Sequence, residues 1–380
     1  MNKYIDPHKE WINNTIKKID KKLKIVSPRT KGTLPYTTKE GKHIPVYVKD
    51  GVTPDYTWWT NGFWGGLMWL MYLETNDEMY KDCAINQEML LDKAYEDIDK
   101  LHHDVGFMWH ITSGANYRIT GDRKSRTRSL VASAMLSSRF NIKKSVIRAW
   151  NSKIRENQSI IDTMMNLPLL YWASLETGDN RFSEIANAHA DMASRCHVRP
   201  DGSVAHVVNH DFENGKCNDV DGQGYGPGSS WSRGQGWAIY GFALAYIHSG
   251  KEEYLDTAKK VAHYFIASVC DDWLPVVDFR SPDEPHIIDS TASAVAACGL
   301  IEIARHVPEY EKKLYINSAI KLLKALDENC CNYDDNEEAL VLRGSHSYHR
   351  IEEREMPIVY GDFYYVEALL KLKGSDFLIW

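Results

Sequence analysis

The chain lacks most of the signals that send a protein out of a cell or onto a polymer. Its first ten residues, Met1-Asn-Lys-Tyr-Ile-Asp-Pro-His-Lys-Glu10, hold no apolar core of the kind a secretory signal needs. No apolar run is long enough to span a membrane. Basic residues form no tract, and 45 Lys and Arg against 52 Asp and Glu leave a formal net charge of −7. Nucleic-acid binding depends on clustered cations that displace phosphate counterions, so neither nucleic acid nor membrane is expected as a partner. Cysteines are few and scattered, at Cys83, Cys196, Cys217, Cys270, Cys298, Cys330 and Cys331, with no C-x-x-C pair. An odd set without a leader reads as seven reduced, structural thiols in the cytoplasm.

Other absences narrow the chemistry. There is no G-x-S-x-G elbow for a serine nucleophile. Gly222-Gln-Gly-Tyr-Gly226 has the glycines of a nucleotide loop but not the preceding strand or the βαβ setting. Histidines occur as adjacent or isolated pairs: His102 with His103, His206 with His210, and His346 with His349. Metal sites need three or four convergent ligands, so no metal and no cofactor are expected.

What is abundant is apolar helix and aromatic surface. Hydrophobic residues make up 43% and charged residues 26%, the balance of an ordinary globular protein. A pattern recurs in which an apolar helical stretch ends in a small polar turn and a second helix begins. Instances end at Asn76-Asp77, Gly121-Asp122, Gly178-Asp179, Gly250, Val307-Pro308 and Gly374. Glycine terminates a helix, and Asp or Asn helps start the next. One such unit cannot bury its apolar face alone, so neighbours must stack. Six helix pairs with separate Gly- and Trp-rich loops predict an all-α (α/α)6 barrel, with residues 1–380 as one catalytic domain. Strand signals are few, and Ser203-Val-Ala-His-Val-Val-Asn209 reads as a short hairpin arm.

The loop Asp219–Trp237 holds glycines, Gln223, Arg233, Trp231 and Trp237 in one run. Glycine permits close backbone approach, tryptophan supplies a flat apolar face, and arginine matches a carboxylate. That mixture suits an anionic, hydroxyl-rich ring such as a uronic acid. Two carboxylates stand near predicted helix starts, Asp104 and Asp162. Helix capping is the ordinary role for such residues. Their neighbours, His102, His103 and Phe107 in one case and Ile160, Ile161, Met164 and Met165 in the other, desolvate the carboxyl and favour its protonated form. Trp59, Phe63, Trp109 and Trp150 are further aromatic candidates at helix edges.

The motifs Trp59-Thr-Asn-Gly-Phe-Trp-Gly-Gly66, His103-Asp-Val-Gly-Phe107, Asp162-Thr-Met-Met-Asn-Leu-Pro168 and Ser230-Trp-Ser-Arg-Gly-Gln-Gly-Trp237, in this order, resemble the unsaturated glucuronyl hydrolases of glycoside hydrolase family 88. The resemblance implies an (α/α)6 barrel and removal of the 4,5-unsaturated uronic acid that polysaccharide lyases leave on oligosaccharides. It implies hydration of the C4–C5 double bond rather than displacement at the anomeric carbon. Asp162 matches the family's catalytic acid and base, and Asp104 its second acidic residue. His206 and Gln223 match polar residues near the reacting carbons and the water. Trp59, Phe63, Trp150, Trp231 and Trp237 match the aromatic lining, Arg233 the basic contact, and His103 the residue before the second aspartate.

Ser345 and Ser347, in Arg343-Gly-Ser-His-Ser-Tyr-His349, are candidate donors to a sulfate, although no lysine accompanies them. Other readings stay open: an unsaturated rhamnogalacturonyl hydrolase, an inverting glycosidase using Asp104 and Asp162, or a non-enzymatic sugar-binding helical repeat. The expected partner is an unsaturated oligosaccharide, and the expected assembly a monomer or homodimer.

Overall fold

The computed structural model describes residues 2–211 and 213–380. A short α1 (Asn2–Ile5) leads into α2 (Lys9–Val26). Three tight pairs follow: α3 (Phe63–Thr75) with α4 (Glu78–Leu91), α5 and α6 (Val105–Trp109 and Ala115–Thr120) with α7 (Arg123–Ser138), and α8 (Leu167–Thr177) with α9 (Asn180–Cys196). Two more pairs, α10 (Ser232–Ser249) with α11 (Glu252–Val269) and α12 (Ser290–His306) with α13 (Glu309–Asn329), precede α14 (Val359–Lys373). The sixth pair is made by the two ends of the chain, because α14 packs on α2. Since α14 also packs on α3, the ring closes. The architecture is the expected (α/α)6 barrel.

The two rings differ in sequence because they differ in surroundings. Inner helices are covered on all sides: every residue of α12 from Ser290 to Ala304 is buried, and so is every residue of α10 from Ser232 to Ala245. Outer helices bury one stripe, as in α11, where Tyr254, Leu255, Ala258, Val261, Ala262, Phe265 and Val269 recur at helical spacing. Turns from inner to outer helix are short. Gly121 and Gly178 take left-handed conformations at φ 78° and 72°, which glycine adopts without a Cβ clash. The next residue in each case, Asp122 or Asp179, then accepts a backbone N–H as the cap of the outer helix.

The return segments are long, and they gather at the opposite end of the ring. They span residues 92–104, 139–166, 197–231, 270–289 and 330–358, and they hold most of the strands. After β1 (Thr37–Lys39) pairs with β2 (Lys42–Ile44), β3 (Phe140–Asn141) pairs with β4 (Val146–Ile147). A three-stranded antiparallel sheet joins β5 (Gln158–Ile160), β6 (Val207–Asp211) and β7 (Lys216–Val220), with Ile160 opposite Val207 and His210 opposite Cys217. The hairpin therefore starts at Val207, four residues later than the sequence suggests, and its partner strand lies beyond Asn209.

The cysteine expectation also needs correcting. Cys196 and Cys217 form a disulfide, with Cα atoms 5.5 Å apart, while Cys83, Cys270, Cys298, Cys330 and Cys331 are free. Cys196 ends α9 and Cys217 lies on β7, so a contact across 21 residues is made by the fold and leaves no spacing motif.

The floor of the loop end is a close contact between α10 and the 3-10 turn Ile161–Met165. A Cβ on Gly241 would lie 2.5 Å from the Met164 Cβ and 3.1 Å from its carbonyl carbon. Gly241→Ala is expected to lower the unfolding free energy by about 1–3 kcal/mol, the usual cost of overpacking. Urea unfolding checks this, and an unchanged midpoint contradicts the contact.

Candidate active site

Two return segments bring the aspartates together. Asp104 stands just before α5 and Asp162 lies within the 3-10 turn, and neither side chain caps its helix. Asn166 ties the two segments. Its side-chain N–H donates to Asp104 Oδ1 at 3.0 Å and to the Asp162 carbonyl at 3.3 Å, and its Oδ1 accepts from the Phe107 amide at 2.9 Å. His103 adds a second tie, with Nδ1 2.7 Å from Thr163 Oγ1 and Nε2 3.2 Å from Asp104 Oδ2. Asn166 and Thr163 were not singled out from sequence. Their signal is the position four residues, or one residue, after Asp162 on the same turn.

The aspartates differ in environment. Burial alone would raise the Asp104 carboxyl, but His103, His102 and the Asn166 amide outweigh it and hold it below the ordinary carboxylate range. The expectation that its neighbours favour a proton on Asp104 is therefore overturned: those neighbours are donors. His102, beside Asp104, is pushed down to about 4 by burial, so it stays neutral near pH 7. Asp162 is only 6% exposed, and its Oδ2 has no hydrogen-bond partner among the described residues. The nearest basic nitrogen is His206 Nε2, at 3.4 Å.

His206 is oriented by backbone. Its Nδ1 accepts the Gln223 amide N–H at 3.0 Å, so a neutral ring carries its proton on Nε2, facing Asp162. Trp231 covers the ring, with centroids 4.2 Å apart. A Cβ on Gly222 would run into His206 Nδ1, so the glycine is required by close approach. Gln223 itself points elsewhere. Its side-chain N–H donates to the His346 carbonyl at 2.8 Å, and its backbone carbonyl accepts from the Tyr348 amide.

Arg233 is fully buried and makes a structural clasp rather than a free ligand contact. It donates to Asp289, to the Ser345 carbonyl at 2.7 Å and to the His346 carbonyl at 2.9 Å. Its guanidinium carbon lies 4.4 Å from the Trp231 ring centre. Burial would weaken its charge, but Asp289, with Tyr360 and Asp162, more than offsets that. Asp289 also accepts from Thr291 and from the Ser345 amide, so one carboxylate holds both the arginine and the 343–349 loop. Ser345 is likewise spent: its hydroxyl donates to the Ile288 carbonyl and accepts from the Glu355 amide, with no surface exposed. Ser347 is 7% exposed and stays a candidate donor.

The aromatic candidates divide by exposure. Phe63 and Trp237 have no exposed surface, because each is enclosed by Tyr364 and Phe107. They form the backing of the site, which corrects their reading as direct contacts. Trp231 is 2% exposed, pressed between His206 and Arg233. Trp59 is half-buried and stacks on Tyr360 with centroids 5.3 Å apart. Trp150 is half-buried on the rim beside Ile160 and Val207, with the Arg155 guanidinium 4.7 Å from its ring centre. Asp278, missed in the sequence, accepts four N–H or O–H groups, from Tyr225, Ser229, Ser230 and Arg280, and so pins the glycine-rich loop.

Two side-chain groups have donor atoms close enough to share a cation: His102, His103 and Asp104 within the site, and Cys196, His210 and Cys217 outside it. Gly222→Ala is expected to displace the His206 ring and lower turnover at this site by roughly tenfold to a hundredfold, as small misplacements of a reacting group do. Steady-state kinetics checks this, with circular dichroism to confirm the fold; unchanged turnover would mean that His206 need not be held where it lies.

The family described as Glycosyl Hydrolase Family 88 matches residues 30–373. An unsaturated glucuronyl hydrolase from Bacillus sp. (strain GL1) is 39% identical over 350 residues, covering 88% of this chain and 92% of the relative. An unsaturated chondroitin disaccharide hydrolase from Streptococcus pneumoniae is 33% identical, covering 87% of this chain and 86% of its own. The crystal structure of an unsaturated glucuronyl hydrolase from Streptococcus agalactiae superposes with a TM-score of 0.87 at 30% identity, covering 98% of this chain and 94% of that one. With two aspartates, a histidine and the clasped arginine loop assembled at one end of a closed helical ring, the chain belongs to glycosyl hydrolase family 88 and is a glycoside hydrolase.

Proposed function

We propose that this enzyme releases the 4,5-unsaturated uronic acid from the non-reducing end of glycosaminoglycan-type oligosaccharides, by hydrating the C4–C5 double bond. The observation that carries the reading is Asp162 Oδ2: nearly desolvated, without a donor among the described residues, and faced by His206 Nε2 at 3.4 Å. Such an oxygen is available to hold and pass a proton rather than to cap a helix. The names of the relatives support the substrate class.

Protonated Asp162 delivers its proton to C4. The electron pair of the alkene forms the new C–H bond, and the positive charge falls on C5 and the ring oxygen. The Asp162 carboxylate stabilises that cation and removes a proton from the water that attacks C5. The hemiketal opens to a ketone at C5, and the hemiacetal left at C1 expels the rest of the sugar as an alcohol. One water is consumed, and Asp162 ends as it began. His206 orients the water from its Nε2 side. Asp104, held ionised by its histidines and Asn166, accepts ring hydroxyls. Trp59 and Trp150 are the aromatic faces with surface to offer a flattened ring. Ser347, rather than Ser345, is the serine available to a substituent on the second sugar.

We read the whole chain as one catalytic unit, supported by the ring that α2 and α14 close together. We read the location as cytoplasmic from the five free cysteines, with the Cys196–Cys217 pair reduced there. Among the described residues no helix is long and apolar enough to cross a membrane.

Asp162→Asn is expected to lower turnover by on the order of a thousandfold, with substrate affinity largely kept. Loss of alkene absorbance from unsaturated chondroitin, hyaluronan, heparin and pectin disaccharides measures it, with saturated disaccharides as controls. Near-normal rates in the variant reject the role of Asp162. Cleavage of saturated sugars points to ordinary displacement by the two aspartates, and a preference for the pectin fragment shifts the substrate class.

A further inference from the structure

Beside the β5–β6–β7 sheet, a buried chain of polar groups ends at two sulfurs. His197 Nδ1 lies 2.8 Å from the Ala205 carbonyl. A carbonyl only accepts, so Nδ1 carries the proton and donates. His197 has no exposed surface, and with its proton on Nδ1 the neutral ring presents Nε2 as an acceptor. Ser159 Oγ lies 2.8 Å from that Nε2 and 2.8 Å from His210 Nε2. The serine has one proton, which goes to His197, so its oxygen accepts from His210. His210 then carries its proton on Nε2. Its Nδ1 lone pair therefore lies on the side of Cys217, whose Sγ is 3.8 Å away.

This is the arrangement that fixes a metal-binding histidine: one ring nitrogen donates to an outer partner while the other presents its lone pair. The two sulfurs and the His210 nitrogen all lie within 4.8 Å of one another. A tetrahedral zinc with about 2.3 Å bonds to sulfur and about 2.0 Å to nitrogen needs neighbouring ligands roughly 3.5–3.8 Å apart. The His210–Cys217 separation already meets that. The sulfurs reach it once the disulfide is opened, and both side chains have room, since Cys217 is exposed on β7 and Cys196 ends α9.

We propose that Cys196, Cys217 and His210 form a binding site for a soft divalent cation of the zinc class in the reduced protein, with the disulfide as its oxidised, closed form. A dithiol reductant supplies two electrons and two protons, opening the S–S bond to two thiols and itself becoming a disulfide. The cation then displaces both thiol protons and takes two thiolates and the imidazole Nδ1, with solvent in the fourth position. Two thiolate charges balance the cation against the positive field of Lys144. The site is structural: it fastens β7 and β6 to α9, and so the hairpin whose ends carry His206 and Gln223.

The test uses the full-length protein, reduced with dithiothreitol, freed of reductant without oxygen and titrated with cobalt(II). The expected result is one equivalent bound, with thiolate-to-cobalt charge-transfer absorption, release of about two protons and displacement by zinc(II). Cys217→Ser is expected to abolish the absorption while circular dichroism and the fold are kept; His210→Ala is expected to shift its energy and weaken binding by tenfold or more. Protein reoxidised to the disulfide is expected to take up no cobalt. Failure of reduced protein to bind cobalt, or equal binding by Cys217→Ser, overturns the site and leaves a disulfide only. Activity on unsaturated disaccharides is not part of the readout, so this result and the catalytic reading fail independently.

Discussion

A buried carboxyl oxygen without a donor is costly inside a fold, and Asp162 Oδ2, which has none among the described residues, faces a histidine at slightly more than the usual hydrogen-bonding distance. Much of the loop end serves to keep that arrangement. Met164 is pressed against Gly241 of α10, which fixes the turn that carries Asp162. The Gln223 amide and the close approach of Gly222 fix the opposing His206 ring. Asn166 and the His103–Thr163 contact then bind the second aspartate to the same turn. A polar pair so held suits the proton transfer to carbon and the ordered water that the proposed hydration requires.

Arg233, Asp289 and Asp278 act on loops. Arg233 and Asp289 are both without exposed surface. Such a pair gains little net stability over apolar packing, but removing one partner strands the other, so it fixes a conformation. Here the fixed conformation is the 343–349 loop, laid against Gln223 through the His346 carbonyl and the Tyr348 amide. Asp278 does the same for the glycine-rich loop. Two of the long, irregular segments at the active end of the barrel are thus each held by buried charged side chains.

The barrel was legible because mostly apolar helices recur and three inner segments end at a left-handed Asn or Gly before a capping Asp, at Asn76-Asp77, Gly121-Asp122 and Gly178-Asp179. The pairing of α14 with α2 was not, since the ends of a ring share no local signal. The site followed the same division. Asp104, Asp162, His103 and His206 are joined by short contacts among themselves and with Asn166 and Thr163. Arg233, Phe63 and Trp237, drawn from the same set of motifs, and Ser345, from the 343–349 segment, are enclosed by the scaffold, because a motif does not record which atom faces the solvent. The disulfide and the His197–Ser159–His210 chain depend on sheet register, which two-residue periodicity alone does not set.

The most direct test of the account follows an unsaturated disaccharide by proton NMR during turnover in deuterium oxide. Proton delivery by Asp162 to C4 predicts that the vinylic C4 signal disappears in step with release of the second sugar, and that the first-formed product carries one deuterium at C4 on a single face. A first-formed sugar that keeps its C4–C5 double bond after the second sugar has departed would contradict it.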